Sequence, residues 1–298
     1  MLSCQTPLAS AAPTQRLFSK ACNRSFSRMT KLLAGKRGLI MGVANDHSIA
    51  WGIAQSCAEH GAELAFTYQG ESFGRRVEPL AQSVGSDILL PCDVSSDEDL
   101  DHMFNLLAQK WDRLDFVVHA IAYANKEELK GEYVNTGREN FANALDISCY
   151  SFTAVAKRAR PMMHEGGSLI TLSYLGAERV MPNYNLMGVA KAALEASVRY
   201  LAANLGPDGI RVNAISAGPM RTLAGSAIGD ARAVFKYNRD HSPLRSTPEL
   251  ADVGNSALYL ASDLSKAVSG EVHHVDSGFH VIGMPNPRAI ADAINQGD

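Results

Sequence analysis

Tyr184 and Lys191 stand seven residues apart in the run Tyr184-Asn185-Leu186-Met187-Gly188-Val189-Ala190-Lys191. Seven residues are nearly two helical turns, so both side chains would leave a helix on almost the same face. A cation placed there would lower the tyrosine pKa and could also hold a ribose, fixing the phenol beside a reacting carbon. In isolation such a pair is more often a packed tyrosine and an exposed lysine on an ordinary helix. Its meaning therefore rests on its surroundings.

A second constellation is built for an anion. Arg37–Val43 reads as a strand and runs into Gly42-Val43-Ala44-Asn45-Asp46-His47-Ser48-Ile49-Ala50. A glycine at a strand end, a polar loop and a helix opening at Ser48 would aim backbone N–H groups and a helix dipole at a pyrophosphate. Ser48 could also serve as the N-cap. The Gly-x-Gly-x-x-Gly fingerprint is absent, so the loop by itself is equally a plain turn before a capped helix. Position adds weight. A second strand ends at Tyr68-Gln69, where a dinucleotide fold sets the residue facing the adenosine ribose. Gln69 is neutral and no Arg or Lys follows until Arg75. A 2′-phosphate would need a nearer cation, so NADH is expected over NADPH, with Arg75 and Arg76 the residues that could oppose this. A third strand ends Cys92-Asp93-Val94; Asp93 either stands beside the adenine or caps a helix beginning near Ser95.

The elements that would position these residues alternate regularly. Strands are expected at Arg37–Val43, Glu63–Tyr68, Asp87–Cys92, Asp115–His119, Ser168–Ser173 and Ile210–Ile215. Helices are expected at Ser48–His60, Ser72–Val84, Asp97–Trp111, around Asn140–Arg160, and at Tyr184–Leu205. The strands are near-continuous apolar runs, as when helices cover both faces of a parallel sheet. The fold class is therefore α/β, a single-domain Rossmann-type doubly wound sheet with right-handed crossovers. Residues 29–284 are expected to form that domain and 285–298 a C-terminal tail.

The chain has 298 residues, 46% hydrophobic and 20% charged, with a formal charge of −3. The charge gives no case for nucleic acid, and no stretch reaches the roughly 18 apolar residues of a membrane span. Five cysteines without CxxC spacing fit neither a disulfide framework nor a zinc site and suggest a reducing compartment. His273 and His274 have no Cys or acid pattern beside them and read as structural, so no metal is expected. Residues 1–28 lack Asp and Glu and place Arg16, Lys20, Arg24 and Arg28 four apart. That pattern is compatible with an organellar transit peptide. The preferred reading is an untranslated or non-native extension ahead of Met29, disordered in either case, with the domain itself cytoplasmic.

Several further motifs give the pair at 184 and 191 its context. They are Ser48-Ile49-Ala50, Tyr68-Gln69, Cys92-Asp93-Val94, His119-Ala120-Ile121-Ala122, Leu172-Ser173-Tyr174-Leu175-Gly176-Ala177, Asn213 through Ala224, and Ser269 through Phe279. In this order, from Gly35 to about Met284, the chain resembles the enoyl-acyl-carrier-protein reductase family, the NADH-using bacterial type I group of short-chain dehydrogenases/reductases. Carbonyl-reducing relatives use Tyr-x3-Lys, and here Gly188 stands four after Tyr184. An enoyl reductase delivers hydride to Cβ while its tyrosine attends the thioester oxygen two carbons away, so the phenol must stand farther from the hydride donor.

The resemblance implies reduction of the trans-2 double bond of enoyl-acyl-carrier-protein thioesters with NADH, the last reductive step of type II fatty-acid elongation. It implies that Tyr184 stabilises enolate charge, that Lys191 holds the ribose, and that Tyr174 is a second active-site residue. Gly42, Ser48, Ile49, Gln69, Asp93, Val94, Ile121, Lys191, Met220, Arg221, Thr222, Leu223 and Ala224 carry over as cofactor contacts, and Ala124 as a substrate contact. An acyl carrier protein partner and a homotetramer are implied in the same way. The family often has Ser and Gly where this chain has Ala120 and Ala122, which narrows the nicotinamide site. Trp51 replaces a smaller aromatic and reads as packing. Finally, Met220–Arg245 is expected to close over the substrate. It carries Arg221, Arg232, Lys236, Arg239 and Arg245 against Asp230 and Asp240, either a solvated helix face or a landing site for an acidic carrier.

Overall fold

The computed structural model describes residues 31–222, 231–284, 286 and 287. The chain divides into two units, Met1–Lys31 and Leu32–Asp298, and the fold is that of the second. The leader expected at 1–28 lies outside the described residues, as does nearly all of the expected tail. Seven strands form one sheet: β1 (Arg37–Met41), β2 (Glu63–Tyr68), β3 (Ile88–Pro91), β4 (Phe116–His119), β5 (Gly167–Ser173), β6 (Ile210–Ala217) and β7 (Val272–Val275). All neighbours are parallel, in the order β3-β2-β1-β4-β5-β6-β7.

Successive strand residues point to opposite faces, and β1 shows the consequence. Leu39 and Met41 enter one core, Ile40 the other, and all three are sealed from solvent. The first core is covered by α3 (Asp97–Lys110), by a π turn (Asp146–Tyr150) that carries α4 (Arg138–Leu145) into α5 (Ser151–Ala159), by α5 itself, and by α6 (Asn185–Leu205). The second is covered by α1 (Ile49–Glu59), α2 (Gly70–Ser83) and α8 (Leu250–Ala261). Apolar runs along the strands thus report burial on both sides, as expected of a doubly wound sheet. Trp51 is buried in the second core and tilts against Phe66 at 6.4 Å. Among the described residues no helix is long and apolar enough to cross a membrane.

Two differences from the expected elements matter. The helix expected around Asn140–Arg160 is interrupted by the π turn. There Ser148 Oγ accepts from the Tyr123 amide at 2.9 Å and donates to the Tyr123 carbonyl at 3.0 Å, so the turn grips the segment leaving β4. Beyond β6, α7 (Ala231–His241) occupies part of the segment expected to close over substrate, and α8 packs on α1. That contact is close because glycines face each other: a Cβ on Gly254 would stand 2.7 Å from the Gly52 carbonyl oxygen.

The order reverses direction between β1 and β4. Chains leave these two strands toward opposite faces and open a crevice at their carboxyl ends, the usual ligand position of such sheets.

Candidate active site

At the mouth of that crevice Gly42 has φ +98°, and a Cβ there would overlap the Ala120 carbonyl that follows β4. Only glycine allows the two strand ends to lie so close. Ser48 holds the N-cap position of α1 but does not cap it. Its Oγ instead accepts from the amides of Ala44 at 3.0 Å and Asn45 at 3.1 Å. The expectation of a capping Ser48 is therefore corrected: the hydroxyl folds the loop back on itself and leaves the first turn of α1 without a side-chain cap, its amides open to an anion.

Gln69 and Asp93 come together from the ends of β2 and β3, Nε2 donating to Oδ2 at 2.8 Å. Asp93 Oδ1 accepts from the Ser95 amide at 2.9 Å and from the Ser95 hydroxyl at 2.6 Å, while α3 is capped by Ser96. Asp93 is thus not the helix cap, the second of its two readings. Burial would raise its pKa, but the bonds from Ser95 and Gln69 outweigh that and hold it below the ordinary carboxylate value. The cations that could oppose NADH are engaged elsewhere. Arg75 pairs with Glu71 at 3.1 Å, and Arg76 lies over the Phe73 ring.

The tyrosine and lysine sit farther along the same edge. Tyr174 follows β5 directly, and Tyr184 is the residue before α6 rather than its first turn, because the flanking Asn183 and Asn185 both have positive φ (57° and 29°). Asparagine tolerates that region better than most side chains. The Tyr174 and Tyr184 rings meet edge to face at 4.9 Å. Tyr184 is buried, yet neither phenol oxygen has a hydrogen-bond partner among the described residues. Since no sealed side-chain polar atom there lacks a partner, the Tyr184 oxygen is not wholly closed off from solvent. A small apolar cluster of Leu129, Met187 and Ala190, with Ala124 against it, surrounds Tyr184.

Lys191 is buried and its Nζ donates to the Leu172 carbonyl at 2.7 Å. Burial lowers its pKa to about 8, against the opposing influence of Cys149 and Glu195. For Tyr184 the expectation of a lowered pKa is corrected. Burial raises it well above the ordinary phenol, with Tyr174 and Glu195 adding to the rise; Tyr174 is pushed up to about 12 by burial. Desolvation of a would-be phenolate outweighs any pull from the cation. Both phenols stay protonated, as donors.

Of the remaining expected contacts, Ile49 opens α1 against one core, and Val94 and Ile121 pack against the other. Met220 is buried, and the Thr222 amide donates to its carbonyl at 2.8 Å. Leu223 and Ala224 lie outside the described residues, as does Asp230. Met220 and Arg221 line a cavity of about 1110 Å³ with His47, Arg232, Lys236 and Arg239. It lies beside the nucleotide loop, not around Tyr184. Lys236 and Arg239 both reach Asp240, at 2.7 and 3.1 Å. His274 pairs with Glu178 at 2.7 Å, and among the described residues no cluster of His, Cys, Asp or Glu could hold a metal ion.

Two buried residues near Lys191 were given no role of their own from the sequence, although His119 stands in the motif His119-Ala120-Ile121-Ala122. His119 at the end of β4 contacts Thr171 Oγ1 at 3.2 Å and Ser151 Oγ at 2.9 Å, and burial lowers its pKa to about 3, so it is a neutral strut. Glu195 accepts from Ser173 Oγ one helical turn beyond Lys191. Its signal was present as a lone acid in the apolar run Ala192-Ala193-Leu194-Glu195-Ala196.

The sequence profile of the family described as Enoyl-(Acyl carrier protein) reductase matches residues 42–280. The chain is 61% identical over 267 residues to enoyl-acyl-carrier-protein reductase (NADH) 2 of Rhizobium meliloti (strain 1021), covering 89% of this chain and 100% of that one. Its fold is similar to the crystal structure of FabI from Candidatus Liberibacter asiaticus, with TM-score 0.85, 53% identity, and coverage of 87% and 100%. It is also similar to the enoyl-acyl-carrier-protein reductase of Anaplasma phagocytophilum in complex with NAD, with TM-score 0.82, 55% identity, and coverage of 86% and 96%.

Proposed function

The chain belongs to the enoyl-acyl-carrier-protein reductase family, and from that premise we propose that it reduces the trans-2 double bond of enoyl-acyl-carrier-protein thioesters with NADH, the last reductive step of type II fatty-acid elongation, using Tyr184, Tyr174 and Lys191. The observation that carries this reading is Tyr184, a buried side chain whose protonated phenol has no partner among the described residues and whose ring lies edge-on to Tyr174. When bound, NADH supplies the hydride that adds at Cβ. Tyr184 donates a hydrogen bond to the thioester carbonyl oxygen, strengthening as negative charge gathers there. Lys191, charged below about pH 8, holds the nicotinamide ribose and keeps the reacting ring near Tyr184. Tyr174 limits the approach of the acyl chain and stands ready to donate to the same oxygen.

The nucleotide end suits the cofactor. Gly42 and the Ser48-folded loop leave the uncapped turn of α1 to the pyrophosphate, with Ile49 beside it. Gln69 and Asp93, preset by their mutual bond, take the adenosine, with Val94, Ile121 and the residues from Met220 to Ala224 as further cofactor contacts implied by the family. Ala124, against Tyr184, touches substrate. Arg221 and Arg232, which line the cavity, are the cations offered to an acidic carrier protein, Lys236 and Arg239 being shared with Asp240. Residues 29–284 act as one reductase domain, in a cytoplasmic homotetramer, an expectation that rests on family resemblance. Oxidation of NADH with a crotonyl thioester against simple ketones tests the reaction class. Turnover confined to ketones would overturn it.

A further inference from the structure

The end of β5 and the catalytic helix α6 are joined by two adjacent rungs. The Leu172 carbonyl accepts from Lys191, and the next residue, Ser173, donates its hydroxyl to Glu195. Lys191 and Glu195 are four apart and so share a helix face; Ser173, Lys191 and Glu195 are all buried. One residue beyond Ser173 comes Tyr174, and Tyr184 enters the same helix. The first rung is made by an ammonium whose three N–H donors must also serve a ribose under the function proposed above. The second serves no ligand.

We propose that Glu195 is a positioning residue: its bond from Ser173 holds the end of β5 to α6 and thereby fixes Tyr174 against Tyr184 while Lys191 is shared with the cofactor. The carboxylate is costly where it is. Burial raises its pKa, and Glu178 adds to the rise, while the Ser173 bond opposes it. A buried acid that made no necessary contact would be better replaced by an apolar side chain. Its charge also raises the pKa of both Tyr184 and Lys191, favouring the protonated phenol and the ammonium together.

The inference rests on the proposed roles of Tyr184 and Lys191, but its test reads geometry as well as rate. Full-length protein carrying 3-fluorotyrosine is compared as wild type, Ser173→Ala, Glu195→Ala and Glu195→Gln, with the Tyr174 and Tyr184 resonances assigned by Tyr→Phe variants. Ser173→Ala and Glu195→Ala should each move both resonances and lower kcat about tenfold with little change in NADH affinity, since small misplacements cost large factors. The double variant should lose no more than the worse single, because one bond is broken in each. Glu195→Gln keeps a carbonyl for Ser173 and should restore the resonances and most of kcat. Unmoved resonances and full kcat in Ser173→Ala overturn the proposal, as does Glu195→Gln failing as badly as Glu195→Ala, which would assign the effect to charge. If Glu195→Ala does not fold, the other two variants decide. A wild type that does not reduce the crotonyl thioester defeats the proposed function, and the fluorine resonances still judge the clamp.

Discussion

The two ends of the crevice are built on opposite principles. At the nucleotide end the three polar side chains that shape the site are already committed, Ser48 to the loop amides, Gln69 to Asp93 and Asp93 to Ser95, while the uncapped amides of α1 are left for an anion. At the catalytic end the phenol oxygens of Tyr174 and Tyr184 have no partner among the described residues, and Lys191 is charged only against a desolvation cost. The first end is a shape, rigid before anything binds. The second holds two phenol donors without a partner among the described residues, which under the proposed function is the arrangement in which a donor to a developing oxyanion is worth most. Damage at the two ends should therefore look different.

The largest effect is expected where shape is broken. Gly42→Ala places a Cβ on a positive-φ residue and against the Ala120 carbonyl. Backbone strain and overpacking together should cost roughly 2–6 kcal/mol, a fall in Tm of roughly 5–20 °C, with NADH binding lost. Thermal unfolding and fluorescence titration check this. A variant that keeps wild-type Tm and affinity would mean the strand ends are not in contact.

A smaller and pH-dependent effect belongs to the catalytic end. The Lys191 pKa is lowered to about 8, and a bound ribose that accepts from the ammonium must raise it. NADH affinity should then be flat below pH 8 and fall about tenfold per unit above it, until the pKa of the complex is passed. Lys191→Ala should bind weakly and lose that slope. A wild-type profile flat to pH 10 would remove the ribose-anchor role. Least in magnitude is cofactor choice at Gln69. With Arg75 and Arg76 engaged elsewhere, NADH should exceed NADPH in kcat/KM by at least about tenfold, or about 1.4 kcal/mol. The reverse preference would show that one of these arginines turns to the 2′-phosphate.

The same contrast governs what the sequence disclosed. Six strands were legible because burial on both faces makes each a near-continuous apolar run, as in Leu169–Leu172. The helix α8 was not, because Gly254, needed for the close contact with α1, weakens the helical signal in Leu250–Ala261. The π turn was invisible, since its cause is the distant bond between Ser148 and Tyr123. The pair Tyr184 and Lys191 was visible in the sequence by its spacing, though only the surrounding motifs gave it a meaning. Their electrostatics were not, because the rise at Tyr184 comes first from burial, which no local pattern encodes. Ser48 was recognised as the residue opening a helix at an anion site; its added reading as a cap, the commoner local use of a serine at a helix start, is what the structure corrects. Glu195 was passed over because its partner Ser173 is 22 residues away in sequence.

The central claim is that the Tyr184 hydroxyl, protonated and without a partner among the described residues, is held for the thioester oxygen. Its most direct test is Tyr184→Phe, with kcat and NADH affinity measured together. The ring and the apolar cluster around it survive the change, so NADH should bind within about twofold of wild type. One donor to a developing oxyanion is worth about 2.7–4 kcal/mol, so kcat should fall roughly 10²–10³-fold. Full kcat in the variant would contradict the account and pass the role to Tyr174.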